Sequence, residues 1–449
     1  MRRLLAVALC LWAQQAVAQA APTSDENEAL RLVVPEPARE SGAAVEPPAA
    51  LRSAGTARLE AAWGRDSWRP ETFASEPPSP RRARLSAAYS LDASAGPGLR
   101  VVLADRIDIA WREGEQGLRS DQVAHTLKEA FLSVGAQTRF LDVGRFNDRV
   151  GVAYAYNPTD VLRRYAVVAR TSDDPTLARG DRLGVVGLRG QWLWESASLA
   201  VLVAPVLRRK PSSGALSPYI ERSNADRRLG LRLATRLGRA NQAELLWHHD
   251  SGSGTQWGAN LSSLLGERTV LHAEWLLTRE AALVQRATTV PAAQPFRLSK
   301  ATGRWRPRAA LGASVALTAQ LSMVLEWHHD GTALSRAQWQ ALAQPQTLAE
   351  LRRYLQVREH ATAAQDILAR NAAFLRLALR EWPQPGWSLS AFVRANLEDR
   401  SRYAWLQLAR ERGAYGLSLT LTRASGARAT EYGDANARYS VQLVGSWTH

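Results

Sequence analysis

The chain has 449 residues, 57 Lys and Arg against 42 Asp and Glu, a formal charge of +15 and a single cysteine. Cys10 lies in the apolar amino-terminal run, so the remainder can form neither a disulfide framework nor a thiolate metal site. Past that run nothing approaches the ~18 consecutive apolar residues of a helical membrane span, which leaves strands as the regular way to cross a bilayer.

The amino terminus reads Met1-Arg2-Arg3, then apolar Leu4 to Trp12, then small residues leading to Ala18-Gln19-Ala20. This is the pattern of an export signal over 1–20. Export removes nucleic acid from the partners a basic chain would otherwise suggest, and turns the positive excess toward an anion-attracting surface or lumen. Residues 21–55, with VVPEPARES and VEPPAA, are too rich in Pro, Ala and Glu to bury a core and read as a disordered periplasmic linker.

From 56 to 449 the chain breaks into segments of roughly 8–12 residues with period 2, separated by turn residues. The first candidate strand is Ala57 to Trp63, followed by a Pro-rich patch over Glu76 to Arg82. In Leu99 to Arg112, Val101, Leu103, Ile107, Ile109 and Trp111 share one face, and Arg100, Arg106, Asp108 and Arg112 the other. Leu127 to Asp160 reads as a strand pair closing on Asn157-Pro158-Thr159-Asp160, where Pro158 lacks a donor and stops the run. Pro205 to Asp226 and Ala281 to Ala301 are long-loop candidates. Leu334 to Asn371 has helical spacing, with Ser335 or Thr347 placed to cap a helix, and is expected as a helical loop or plug. Alternation returns in Trp387 to Leu397, Tyr415 to Arg423 and Tyr439 to Trp447.

Alternation alone does not separate a sandwich from a barrel in lipid. Three features favour the barrel. Trp63, Trp111, Trp247, Trp327, Trp387 and Trp447 fall at expected strand ends, where an interfacial girdle would sit. The carboxyl-terminal segment has the form of the strand that barrel-insertion machinery reads, though it ends on His449 rather than an aromatic residue. Length without helix–strand alternation fits one large barrel. The expected fold is all-β: a single transmembrane antiparallel β-barrel of roughly 16–18 strands with a helical loop insertion.

Two constellations could carry chemistry. The units Trp247-His248-His249-Asp250 and Trp327-His328-His329-Asp330 stand 80 residues apart and would supply four imidazoles to a metal if their strands met. Neighbouring strand residues face opposite sides, so the units read more simply as strands leaving the membrane. The second set is Arg106, Arg112, Arg228, Arg232, Arg236, Arg376, Arg380 and Arg394, which alternation places on polar faces and hence around an anion-favouring lumen. Pairing with Asp108, Glu244, Glu274 and Glu326 would weaken that effect. No Gly-x-Ser-x-Gly elbow, P-loop or dinucleotide fingerprint is present, so no catalytic residue and no cofactor is expected. His272 and Glu274 share a strand face and suggest an ordinary lumen hydrogen bond.

Leu127 to Leu132, Leu141 to Arg145 and Gly151 to Asp160 together resemble Gram-negative outer-membrane β-barrels of porin or alginate-export type, and Leu325 to Trp339 also looks familial. The resemblance implies a monomeric barrel in the outer membrane that passes solutes or a polymer. Its partners would be outer-membrane lipid and lipopolysaccharide, the insertion machinery at the last strand, and an anionic solute or polymer. It also implies that Asn157, Pro158, Thr159 and Asp160 form a turn at a strand end, with Asp160 satisfying local amides. The expected function is an outer-membrane channel. The alternative is a non-transporting barrel serving as a lipid-modifying hydrolase or a scaffold.

Overall fold

The computed structural model describes residues 52–69, 81–96, 98–114, 117–212, 214–291 and 293–449. The signal expected over 1–20 and the linker up to residue 51 lie outside the described residues.

Eighteen antiparallel strands form one sheet closed on itself. In chain order they are β1 Arg52–Trp68, β2 Arg81–Ser94, β3 Leu99–Gly114, β4 Gly117–Ala136, β5 Arg139–Phe146 and β6 Val185–Leu193. Next come β7 Ala197–Ala204, β8 Arg228–Leu237, β9 Asn241–Asp250, β10 Gly254–Leu265, β11 Thr269–Thr278 and β12 Arg306–Ala316. The last six are β13 Leu321–Asp330, β14 Asn371–Arg380, β15 Trp387–Asn396, β16 Arg402–Arg412, β17 Tyr415–Ser425 and β18 Ala437–Thr448. Closure is made by β1, which pairs with both β2 and β18, with Leu59 opposite Trp447 and Trp63 opposite Leu443. Every strand is then paired on both sides, the condition for placing backbone amides in hydrocarbon.

Leu and Ala dominate many of these strands and are not strong strand formers. Two-sidedness decides instead. One parity of each strand is apolar and exposed: Leu231 and Leu233 on β8, Leu261 on β10, Trp275 on β11, Leu325 and Trp327 on β13, Leu443 on β18. The other parity is polar and buried: Asp108 on β3, Arg228 on β8, Asn260 on β10, Glu274 on β11, Glu326 on β13. An outer surface this apolar has no stable place in water, at roughly 25 cal/mol per Å2 of exposed hydrocarbon, and forms the lipid-facing belt of a membrane barrel. Among the described residues no helix is long and apolar enough to cross a membrane, and the strands do the crossing.

The connections divide the barrel into two ends. One end carries tight turns such as 137–138, 238–240 and 266–268. The other carries the long segments 147–184, 205–227, 279–305 and 331–370. Short turns mark the periplasmic rim and long loops the external one. Among the described residues five α-helices lie in the long loops, α1 Pro175–Gly180, α2 Ile220–Ser223, α3 Leu283–Thr289, α4 Arg336–Leu342 and α5 Leu348–Ala364, with a 3-10 turn at Val161–Arg163. Both expected caps are used. Ser335 and Gln338 form one capping box, and Thr347 and Glu350 form another. Helices α3, α4 and α5 bury Leu283, Trp339, Tyr354, Val357 and Ala361 in a common apolar core.

The stretch read as a strand pair needs correction at its far end. Leu127 to Phe146 does form the end of β4 and β5, but Asn147 to Asp160 is not in the wall. It turns inward and crosses the lumen. The register of β11, β12 and β13 makes room for it: Gly312 on β12 lies opposite both His272 and Glu326. A Cβ at Gly312 would sit 2.5 Å from His272 Nε2 and 2.6 Å from the Leu325 carbonyl oxygen. With no side chain there, His272 reaches across β12 to Glu326 at 2.9 Å. Gly312→Val is therefore expected to cost about 1–3 kcal/mol by overpacking, read as a lower urea midpoint of the folded barrel in detergent. Gly258→Ala, whose Cβ would meet neighbours at 3.3 Å, should be milder; equal midpoints for Gly312→Val and the parent chain would refute the account.

Candidate functional site

The site is built where segment 147–184 enters the barrel. Two buried carboxylates on the wall receive it. Glu274 on β11 accepts the main-chain N–H of Val152 (2.6 Å), Ala153 (2.7 Å) and Thr159 (3.3 Å), together with Asn157 Nδ2 (2.9 Å) and Thr159 Oγ1 (2.8 Å). Glu326 on β13 accepts the N–H of Tyr154 and of Ala155, the latter at 2.9 Å. His272 and His328 both approach Glu326 through Nε2 at 2.9 Å, and because a carboxylate only accepts, the ring proton of each is assigned to Nε2. Asp330 accepts the Tyr156 hydroxyl at 2.9 Å. A loop crossing the lumen would otherwise bury unpaired amides, each costing about 1–3 kcal/mol. The carboxylates remove that penalty.

Asn157 to Asp160 does make a turn, with the Asp160 N–H donating to the Asn157 carbonyl at 3.2 Å. The turn lies inside the barrel rather than at a strand end. Asp160 is held by Arg182 at 2.7 Å instead of by local amides, and Arg182 also bonds Asn147 at 2.7 Å, tying the two ends of the segment together.

Above this turn a second cluster clamps the segment to the external loops. Glu280 is bonded by Arg164, by Arg286 (3.1 Å) and by Arg308 (2.8 Å). Asp366, just past α5, takes Arg286 (2.9 Å), Arg163 (3.3 Å) and Arg164 (3.4 Å). Burial opposes ionisation of Glu280, but the guanidinium groups of Arg164, Arg308 and Arg286 outweigh it and hold the carboxyl down to about 2. Burial opposes ionisation of Asp366 too, and there Arg164, Arg286, Arg308 and Arg163 hold the carboxyl well below its ordinary value. The helical insertion over 334–371 thus braces the lumen segment from outside; none of its side chains lines the cavity described next.

Below the segment a cavity of about 1160 Å3 runs toward the periplasmic rim. Its ceiling includes Tyr154, Asp173, Asp174, Arg179 and Asp181 of the segment. Its walls carry two kinds of polar residue. Arg58, Arg84, Arg106 and Lys128 stand on β1 to β4, and Arg376, Arg380 and Arg410 on β14 to β16. Ser388, Ser390, Gln407, Ser418, Thr420, Gln442 and Ser446 line β15 to β18. The lining holds twelve Arg or Lys and eight Asp or Glu in all. Asp181 is already taken by Arg106 (2.7 Å) and Lys128 (2.6 Å), and Asp173 accepts the Tyr403 hydroxyl at 2.6 Å. Arg376 lies over the Tyr154 ring, 5.1 Å being the corresponding Arg410 distance to Trp387 and 4.9 Å its own.

This architecture has solved counterparts. OccK5 of Pseudomonas aeruginosa superposes with a TM-score of 0.51 at 10% identity, covering 88% of this chain and 97% of that one. OccAB1 and OccAB3 of Acinetobacter baumannii each give 0.52, at 11% and 8% identity, over 88% of this chain and 96% and 99% of theirs. The sequence itself matches no protein-family model and no curated protein. The fold is that of the outer-membrane porins. Within that porin fold, the alginate-export part of the sequence resemblance has no counterpart among these neighbours.

The expected arginines separate into distinct settings. Arg106 is buried against Asp108 (3.0 Å), Asp181 and Glu60 (3.1 Å). Arg228 pairs with Asp250 at 3.2 Å, and Arg232 bridges Glu244 (3.2 Å) and Asp148 (3.4 Å). Arg376 and Arg380 line the cavity. Arg394 is half-buried beside Glu431, Arg112 is exposed near the external end of β3, and Arg236 lies at the opposite rim, donating to the Glu195 carbonyl at 3.4 Å. They do not form one ring. Alternation marks the lumen face, but no motif singles out Arg58, Arg84, Lys128 and Arg410 on it. Glu274 and Glu326 were expected as arginine partners, and Glu274 also as the partner of His272, which bonds Glu326 instead; their real ligands, amides 115 to 172 residues away in sequence, leave no local signal.

The four histidines do not meet. β10, β11 and β12 separate β9 from β13. His248 and His328 point inward and are buried, whereas His249 and His329 stack on outward Trp247 and Trp327. Among the described residues no group of three or more His, Cys, Asp or Glu could hold a metal. The echo has another meaning. Asp250 and Asp330 each pair with an arginine of the preceding strand, Arg228 and Arg308, and each accepts N–H groups of the following turn: Gly252 at 2.7 Å, Thr332 at 2.8 Å. It is a strand-ending device used twice.

Two outcomes follow from this geometry. Glu274→Gln puts an NH2 where an acceptor is required and should open segment 151–159, raising limited proteolysis at Arg149 by roughly tenfold or more for a loss of about 1.5–3 kcal/mol; unchanged cleavage contradicts the anchoring role. The depressed carboxyls of Glu280 and Asp366 contribute stability that is present above their unfolded values and lost as pH falls through the folded ones. The opening free energy that hydrogen exchange reports at residues 163–166 and 281–289, after the intrinsic amide rate at each pH is divided out, should therefore stay flat from neutral pH down to about 4.5 and fall progressively toward pH 2. Asp366→Asn should raise exchange already at neutral pH.

Proposed function

We propose that this chain is an outer-membrane channel whose lumen favours small anionic solutes. The observation that carries the reading is the cavity under segment 147–184, where twelve lining cations face eight lining carboxylates, an excess that the pairing of Asp181 with Arg106 and Lys128 leaves in place. In a water-filled lumen walled by low-dielectric protein and lipid, such an excess raises the local concentration of anions. Arg adds a geometric preference for carboxylate and phosphate groups, which its planar fork can bind through two hydrogen bonds.

Small solutes rather than a polymer are favoured because segment 147–184 is fixed across the lumen by Glu274, Glu326 and the Glu280–Asp366 cluster. A polymer would have to displace several buried, charge-assisted hydrogen bonds at once. The hydroxyl and amide wall of β15 to β18 supplies neutral partners for the remainder of a polar solute, so that carboxylate and non-carboxylate parts meet different sides of the passage.

Planar-bilayer recording under a salt gradient tests this. The purified barrel should show an anion-selective reversal potential, and Arg376→Gln, Arg380→Gln and Arg410→Gln combined should reduce the anion-to-cation permeability ratio by roughly half or more. An unaltered ratio overturns the anion reading. Absence of conductance even after removal of 151–182 overturns the channel reading itself.

A further inference from the structure

The external rim is not electrically uniform. Loop 205–227 exposes Arg208, Arg209, Lys210 and Arg227, and loop 279–305 exposes Arg279, Lys300 and Arg304. The acids of the same two loops, Glu221, Asp226 and Glu280, are all buried, so among the described residues this sector presents cations with no exposed carboxylate. The helical insertion across the rim is different, with exposed Arg336, Arg352 and Arg353 beside exposed Glu350 and Glu359.

The two basic loops are one surface. Asp226 accepts the Leu298 N–H at 2.8 Å and lies 3.6 Å from Arg297, Arg222 stands over Phe296 at 4.9 Å, and the Ala301 N–H donates to the Gly252 carbonyl at 3.0 Å. Strand parity then fixes which way its inner edge faces. Arg227 precedes inward Arg228, and Arg279 follows inward Thr278, so both leave the wall on the lipid side. Arg279 also covers Trp305, at 4.6 Å from the ring centroid, an aromatic at the strand boundary where headgroups begin. Outward Trp247, Trp257 and Trp275 stand on the strands beneath. A cation set serving only to draw solutes into the lumen would face the pore axis; at its inner edge, Arg227 and Arg279, this one faces the bilayer.

We infer that the rim sector over β7 to β12 binds the phosphate groups of outer-leaflet glycolipid, holding the barrel to a polyanionic lipid surface. The contact is independent of what passes through the lumen. Each cation near such a surface adds attraction that falls off within a Debye length, so binding weakens as salt is raised.

The test uses the full folded chain in detergent with magnesium chelated, and purified lipopolysaccharide as the probe, read by microscale thermophoresis. The parent chain should bind it, and the combined variant Arg208→Gln, Arg209→Gln, Lys210→Gln and Arg279→Gln should bind at least roughly tenfold more weakly. Arg352→Gln with Arg353→Gln, on the other sector, should keep parental affinity, showing that position and not total charge matters. Equal binding of enzymatically dephosphorylated lipopolysaccharide, equal losses from both variants, or displacement by inorganic phosphate at matched phosphate concentration would each overturn the inference.

Discussion

The passage through this barrel depends on two carboxylates that grip backbone. Glu274 and Glu326 point into the lumen from alternate strands, β11 and β13, and between them take the main-chain amides of 152, 153, 154, 155 and 159. A wide barrel has no packed core of its own to hold an inward loop. What it can offer is a wall whose inner parity is polar, and here that wall supplies acceptors at the height where the crossing loop presents donors. The intermediate strand contributes by omission, since Gly312 leaves the gap through which His272 steadies Glu326. Anchoring, glycine placement and register are thus one arrangement spread over three strands.

Charge is distributed by role. The external cluster of Arg163, Arg164, Arg286 and Arg308 with Glu280, Asp330 and Asp366 is dense, buried and mutually compensated, as buried charges must be to persist. The cavity below is lined by more cations than carboxylates, some of them paired with one another. Arginine therefore stands both in buried ion-pair clusters and in the cavity lining, and counting arginines on polar strand faces does not separate the two settings.

This explains what was legible in the sequence. Period-2 alternation in 99–112, 387–397, 415–423 and 439–447 located real strands, because a lipid-facing parity leaves a strong local signature. The helical insertion was legible for the same reason, through Ser335 and Thr347 as caps. Asn147 to Asp160 misled, since its small and aromatic residues mimic a strand while its hydrogen bonds go to side chains far along the chain. The paired Trp-His-His-Asp units were visible as a repeat but not as a device, because the decisive partners, Arg228 and Arg308, stand on neighbouring strands 22 residues earlier.

The anchoring of the lumen segment through main-chain amides has one more consequence. An amide donor is the same whichever side chain its residue carries, so Val152, Tyr154 and Ala155 can be exchanged without removing the bonds that hold the loop in place. Tyr154, the one of the three that lines the cavity, thus presents a side chain whose identity does not decide its own main-chain bond to Glu326. A barrel built like this can carry a different lining at the tip of its loop while the grip on that loop stays unchanged.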